Sequence, residues 1–145
     1  MPSYDSIPSS HRDLVDGRHL AVLTTVDAQG DPQSTAVWYL YDGDVIRIST
    51  RTVLQKYRNV ERHPRVTLFI ADPTTHFRAL EIRATVAVVD DPDGDFFETI
   101  AVAYGQDLAT FPGLRDRRVV LELTPTHATT VGLGRQHLAG LKPPS

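Results

Sequence analysis

Ser49, Thr50, Arg51, Gln55, Lys56 and Arg58 are the residues of this chain whose types and spacing best suit chemistry. Two hydroxyls, an amide and three cations in so short a stretch could hold a phosphate. They fall where the hydrophobic period changes. Val45, Arg47 and Ser49 alternate with Ile46, Ile48 and Thr50 as in a strand, and after Arg51 the pattern becomes helical. Thr52 followed by Gln55 predicts a capping box, with Val53, Tyr57 and Val60 on one helix face and Pro64 ending the helix after His63. A helix start presents unpaired N–H groups and the positive end of a dipole, which also favour an anion. Two readings fit these residues: a phosphate cradle, or the solvated basic face of an amphipathic helix. No phosphate-binding glycine loop is present to decide between them.

Residues 1–8 read as a loose arm, and Ser10 with Asp13 suits the cap of a short helix carrying Leu14 and Val15. His19 to Val26 is a strand with apolar residues on both faces, which predicts two-sided burial. The turn formers from Asp27 to Pro32 lead into a strand from Gln33 to Tyr41. There Ser34, Ala36, Trp38 and Leu40 share one face, and Thr35, Val37, Tyr39 and Tyr41 the other. Trp38 suits a ring-binding site or a packed aromatic equally, whereas Tyr39 and Tyr41 read as packing residues. Asp42-Gly43 predicts a tight hairpin into Val45 to Thr50. Further strands are expected over 65–71, 79–90 and 118–123, and Ala128 to Val131 extends the sheet. A helix after Pro92 carries Phe96, Phe97, Ile100, Ala101 and Tyr104 on its apolar face. Six largely antiparallel strands with short helices predict a mainly β, barrel-like single domain over residues 1–145, with a flexible tail at 142–145.

Composition narrows the chemistry. The chain has 145 residues, a net charge of −3 and no cysteine. The charge argues against a general nucleic-acid binder, and the lack of cysteine removes disulfides, thiolate nucleophiles and iron–sulfur clusters. The six histidines are scattered without metal-ligand spacing, and no serine sits in a nucleophile elbow. No apolar run is long enough to span a bilayer, and the first residues lack the apolar core of a signal peptide. A cytoplasmic protein is expected. Lysine occurs only at 56 and 142, which makes Lys56 a less casual occurrence.

The stretch HLAVLTTVDAQGDPQSTAVWYLYDGDVIRISTRTVLQKYRNVERHPRVTLFIADP resembles the pyridoxamine 5'-phosphate oxidase-like split β-barrel superfamily. More narrowly, it is similar to the branch that uses the deazaflavin coenzyme F-420. The resemblance runs from His19 to Thr124, with Ser49, Thr50, Lys56, Asn59, Pro64 and Arg65 in matching order. It implies a six-stranded antiparallel split β-barrel and a homodimer with two cofactor sites at the subunit interface. Ser34, Thr35, Val37 and Trp38 would lie near the ring system, and Ser49, Thr50, Arg51, Gln55 and Lys56 near the ribityl phosphate. His76, Phe77 and Arg78 would close the site from the partner. Arg51, Arg58, His76 and Arg78 would meet the extra negative charge of the deazaflavin tail. Some relatives carry arginine where this chain has Leu54. The implied activity is hydride transfer from reduced F-420 to a small organic acceptor. An FMN-binding oxidase or reductase, and a deazaflavin carrier without turnover, are the alternatives. In all three the cofactor carries the electrons, so no catalytic acid or base need appear in the chain.

Overall fold

The computed structural model describes residues 6–75, 77–111 and 113–132. One seven-stranded antiparallel sheet forms the body. Its strands are β1 (Ala21–Val26), β2 (Pro32–Val37), β3 (Leu40–Tyr41), β4 (Ile46–Arg51), β5 (Arg65–Ala71), β6 (Ala79–Asp90) and β7 (Arg118–Val131). Among the described residues three α-helices accompany them, α1 (Arg12–Asp16), α2 (Gln55–Arg62) and α3 (Asp95–Ala103), with a 3-10 turn over Ser9–His11 leading into α1.

The order across the sheet is β2-β1-β5-β6-β7-β4-β3. The two edge strands are therefore consecutive in sequence, separated only by Trp38 and Tyr39. The sheet must curl until its edges nearly meet, which is the split β-barrel. Here the strand expected from Gln33 to Tyr41 divides. Its first part pairs with β1 and its second with β4, so one predicted strand becomes two and six become seven. The seventh strand in sequence is one continuous element to Val131, with an irregularity opposite Arg83 and Ala84.

Alternation decides what lies inside. Leu23, Ile46, Ile48, Leu68, Ile70, Leu80, Ile82, Leu121 and Leu123 are buried in one cluster. Leu14, Val15 and the Tyr39 side chain join it, and the Tyr39 hydroxyl donates to the Leu14 carbonyl at 2.6 Å. Ile7 is buried too, so the expected loose arm is packed from that residue on; residues 1–5 and 142–145 lie outside the described residues. The two-sided burial expected of β1 is not met within one chain. Ala21 and Leu23 face the core, while Leu20 and Val22 remain 64% and 39% exposed.

Several end signals act differently from expectation. No side chain caps α1, because the Asp13 carboxylate is drawn to Arg78. α2 starts at Gln55 with Leu54 at the cap and no side-chain cap, so the Thr52–Gln55 box does not form. The Thr52 N–H instead donates to the Arg117 carbonyl at 2.9 Å, which ties this segment to the neighbouring strand entry. Pro92 is not in the first turn of α3 either. Gly94 occupies that helix's cap position at φ 71°, a left-handed conformation that favours glycine. The buried Asp91 carboxylate accepts from the N–H groups of Phe96 and Phe97, each at 3.2 Å. Among the described residues no helix is long and apolar enough to cross a membrane.

Candidate functional site

β4 and β7 pair so that Ser49, Thr50 and Arg51 stand opposite Val120, Val119 and Arg118. The chain leaves β4 and turns into α2, which brings Leu54 and Lys56 over the same end of the strands. β2 enters from the other side with Ala36, Val37 and Trp38, and α3 contributes Phe97 and Ile100. A pocket of about 210 Å³ lies between them, lined by these residues together with Ser49, Thr50 and Arg118.

Its electrostatics are one-sided. No acidic residue lines the pocket, and two cations do. Lys56 makes no ion pair among the described residues. Burial pushes its ammonium below the ordinary lysine range, and the Arg118 charge pushes it further the same way. Arg118 is likewise held below its usual value, by burial first and by the Arg51 charge second. The Arg118 guanidinium carbon sits 3.8 Å from the centre of the Phe97 ring. Its Nε donates to the Leu114 carbonyl at 2.6 Å, and its Nη1 lies 3.4 Å from the Ser49 hydroxyl. The Thr50 hydroxyl oxygen is buried with no hydrogen-bond partner. Thr50 lies on the face of β4 that carries the buried Ile46 and Ile48, so its hydroxyl belongs to the core side of the wall, and the pocket's offer to an anion is its two cations with no carboxylate among the lining residues.

Trp38 closes the pocket beside an aromatic cluster. Its ring stacks on Tyr104 with centroids 5.0 Å apart and meets Phe111 at 5.9 Å, and Phe111 in turn meets Phe97. The Tyr104 hydroxyl accepts from the Tyr39 N–H at 3.1 Å and faces the carbonyls of His19 and Tyr39. Trp38 therefore serves as packed aromatic and pocket wall at once.

Of the residues singled out in the sequence, Val37, Trp38, Ser49, Thr50 and Lys56 are brought together here. The others lie elsewhere. Ser34 is exposed on β2 and shares a hydrogen bond with Thr24, and Thr35 stands opposite the buried Leu23. Arg51 is paired with Asp116 at 3.0 Å, its Nε donating to the Asp116 carbonyl. Gln55 bonds Asn59 and Arg58 along the helix surface. Phe77 is exposed in the loop before β6. Arg78 is buried, its fork held by Asp13 and Asp72 at 2.7 Å each and by the Ser10 carbonyl. His76 lies outside the described residues. As site residues, Arg118, Phe97 and Ile100 escaped the sequence reading, in which the last two form only the apolar face of a helix, because only long-range pairing of β4 with β7 and packing of α3 bring them in. The Thr50–Val119 register is the signal that would have found Arg118, and it needs the sheet order first.

A larger cleft of about 500 Å³ crosses the outer faces of β1, β5 and β6, walled by Thr24, Thr67, Thr85, Arg65 and Arg83. Its arginines are exposed and it holds none of the predicted site residues, so the smaller pocket is the better candidate. Among the described residues, no group of three or more histidines and carboxylates gathers as a metal site.

Residues 7–132 match the family described as pyridoxamine 5'-phosphate oxidase. The chain is also similar to a solved F-420 reductase, at 33% identity and a TM-score of 0.80 over 85% of this chain and 98% of that one. A conserved hypothetical protein from Mycobacterium tuberculosis shares 21% identity at a TM-score of 0.71, covering 96% and 93% of the two chains. A haem-storage protein from Vibrio cholerae has the same fold at 18% identity and a TM-score of 0.60, covering 94% and 100%. No curated protein matches the chain in sequence. The match over nearly the whole described chain, on a split β-barrel with this pocket at its seam, establishes that the chain belongs to the pyridoxamine 5'-phosphate oxidase family.

Proposed function

We propose that this protein is a coenzyme F-420-dependent reductase that holds its cofactor by the phosphate in the Lys56 pocket. The observation that carries this reading is the pocket's unbalanced charge: Lys56 and Arg118 line it, with the Ser49 hydroxyl beside them, and no carboxylate does. Similarity to an F-420 reductase at 33% identity supports the choice of deazaflavin within a family otherwise described by a phosphate-ester oxidase. When bound, the deazaflavin supplies the hydride chemistry. The chain's own residues do the rest. Lys56 and Ser49 would hold the phosphate, with Thr50 part of the wall behind them, and Trp38, stacked on Tyr104 and so unable to swing freely, would with Ala36 and Val37 form the side of the pocket available to the ring. Leu54, Phe97 and Ile100 exclude water.

The pocket is small for such a ligand. Sites that enclose drug-sized molecules run to roughly 300–1,000 Å³, so one chain supplies only part of the wall. Val22 on β1 and Phe69 on β5 stand side by side in register, 39% and 38% exposed, with Leu20 beyond them. This apolar outer face supports a homodimer in which the partner completes each site. FMN shares the ribityl phosphate and is the competing cofactor. Equilibrium titration with reduced and oxidised F-420 and with FMN, followed by absorbance, tests the reading. Tighter binding of F-420, with oxidation of its reduced form by at least one small organic acceptor, is expected; tighter binding of FMN at low salt would contradict it.

A further inference from the structure

We propose that Arg118 is the second cation of the anion site, so that the pocket takes two adjacent negative charges where Lys56 alone would take one. The inference rests on reading the pocket as a cofactor site and extends it to the charge of the group that fits.

Arg118 is built into place. The Phe97 ring lies against one face of the guanidinium, the Leu114 carbonyl holds Nε and the Ser49 hydroxyl approaches Nη1. Its Nη2 has no partner among the described residues. Both nearby carboxylates are committed elsewhere: Asp116 to Arg51, and Asp91 to the N–H groups that open α3. Two half-buried cations therefore share a pocket wall that holds no carboxylate, the charges of Asp116 and Asp91 reaching Arg118 only from outside it, an arrangement that a ligand carrying two charges relieves. Its planar fork can meet two oxygens at once, whereas Lys56 acts as a point charge. Two sources present this chemistry. FMN ends in a phosphate monoester, a dianion near neutral pH. F-420 carries a singly charged phosphodiester followed by tail carboxylates.

The experiment titrates the full-length protein and its Arg118→Gln and Arg118→Ala variants with FMN, riboflavin, F-420 and the phosphate-free deazaflavin riboside. Gln keeps a planar group against Phe97 without the charge, and serves if Ala does not fold. Loss of about tenfold or more in affinity for phosphorylated ligands, with the phosphate-free ligands within about twofold of wild type, is expected. Loss confined to FMN identifies the monoester as the fitted group, and loss confined to F-420 the diester with its carboxylate. Equal loss for phosphorylated and phosphate-free ligands, or no loss, overturns the proposal. If the wild-type protein binds no ring ligand, the cofactor reading fails. Thermal melts with inorganic pyrophosphate then decide the anion site alone: a rise in Tm for wild type that both variants lose sustains it, and an equal or absent rise overturns it.

Discussion

The ring of Trp38 stacks on that of Tyr104 with centroids 5.0 Å apart and planes 14° from parallel, joining the seam of the barrel to the end of α3. β2 and β3 exchange no hydrogen bonds with each other, so Trp38 and Tyr39 span a break in the sheet. The Tyr104 hydroxyl fills it by accepting from the Tyr39 N–H and facing two carbonyls. The residue that closes the barrel thus also fixes the aromatic wall of the pocket.

Tyr104→Phe keeps the stack and removes the hydroxyl, leaving the Tyr39 N–H without its acceptor. Urea unfolding should show a loss of about 1–3 kcal/mol, with the midpoint shifted and the slope unchanged. Unaltered stability would mean that the hydroxyl does not hold the seam.

Arg78 is expected to act through the fold. Arg78→Met leaves Asp13 and Asp72 without their counter-charge and should cost about 3–5 kcal/mol, the usual consequence of removing one partner of a buried ion pair. Asp72 adds a pH signature. Burial alone would raise its carboxyl, but the Thr74 N–H and hydroxyl and the Arg78 fork together hold it below the ordinary range. A carboxyl lowered in the folded state stabilises above its unfolded value near about 3.9, and that contribution fades as pH falls through the folded value. Wild-type stability should therefore drop more steeply below about pH 4 than that of Asp72→Asn. Parallel acid profiles would count against this assignment.

Much of the fold was legible because its signals are local. Alternation marks β5 and β6 to the residue, and the position of Pro64 marks the end of α2 within a residue. What was not legible depends on partners distant in sequence. The break at Trp38 arises because the two halves of one extended segment pair with different strands, β1 and β4, which no local pattern records. The Thr52–Gln55 pattern matched a capping box, yet the Thr52 N–H is taken by Arg117 across the sheet and Gln55 turns to Asn59. In the site, the residues of β4 and Lys56 were readable as one short run of polar and basic types. Arg118 was not, since it lies 67 residues from Arg51 and meets it only through the β4–β7 register. Arg78 shows the reverse case: an arginine in a polar loop looks available in sequence, and three acceptors in the fold occupy it.

The outer face of β1 and β5 carries the dimer prediction. Light scattering at micromolar concentration should return a dimer, with an interface above about 1,000 Å². Phe69→Glu places a charge between Val22 and the neighbouring strand and should shift the protein to monomers while its circular dichroism stays native. A wild-type monomer would remove the shared-site arrangement.

Anion affinity should depend on pH through Lys56. Its ammonium is lowered in the free protein by burial and by Arg118, and a bound phosphate would raise it again. Affinity is then fully present below the free protein's value, which lies under the ordinary lysine range, begins to fall as pH passes it, and is lost as pH climbs through the higher value of the bound state. Titration of FMN or F-420 from pH 7 to 10 should show weakening at the alkaline end, and Lys56→Ala should abolish that trend. A flat wild-type profile would mean that Lys56 keeps its charge throughout or does not touch the ligand.

The most direct test of the account is the dissociation constant of F-420 for wild-type protein and Lys56→Ala, measured by fluorescence titration at one fixed low salt concentration. A lost charge-assisted contact is worth roughly 1.5–3 kcal/mol, so the variant should bind about 10- to 150-fold more weakly, with its fold and its affinity for the phosphate-free riboside retained. Equal dissociation constants for the two proteins would contradict the account and return Lys56 to the solvated face of α2.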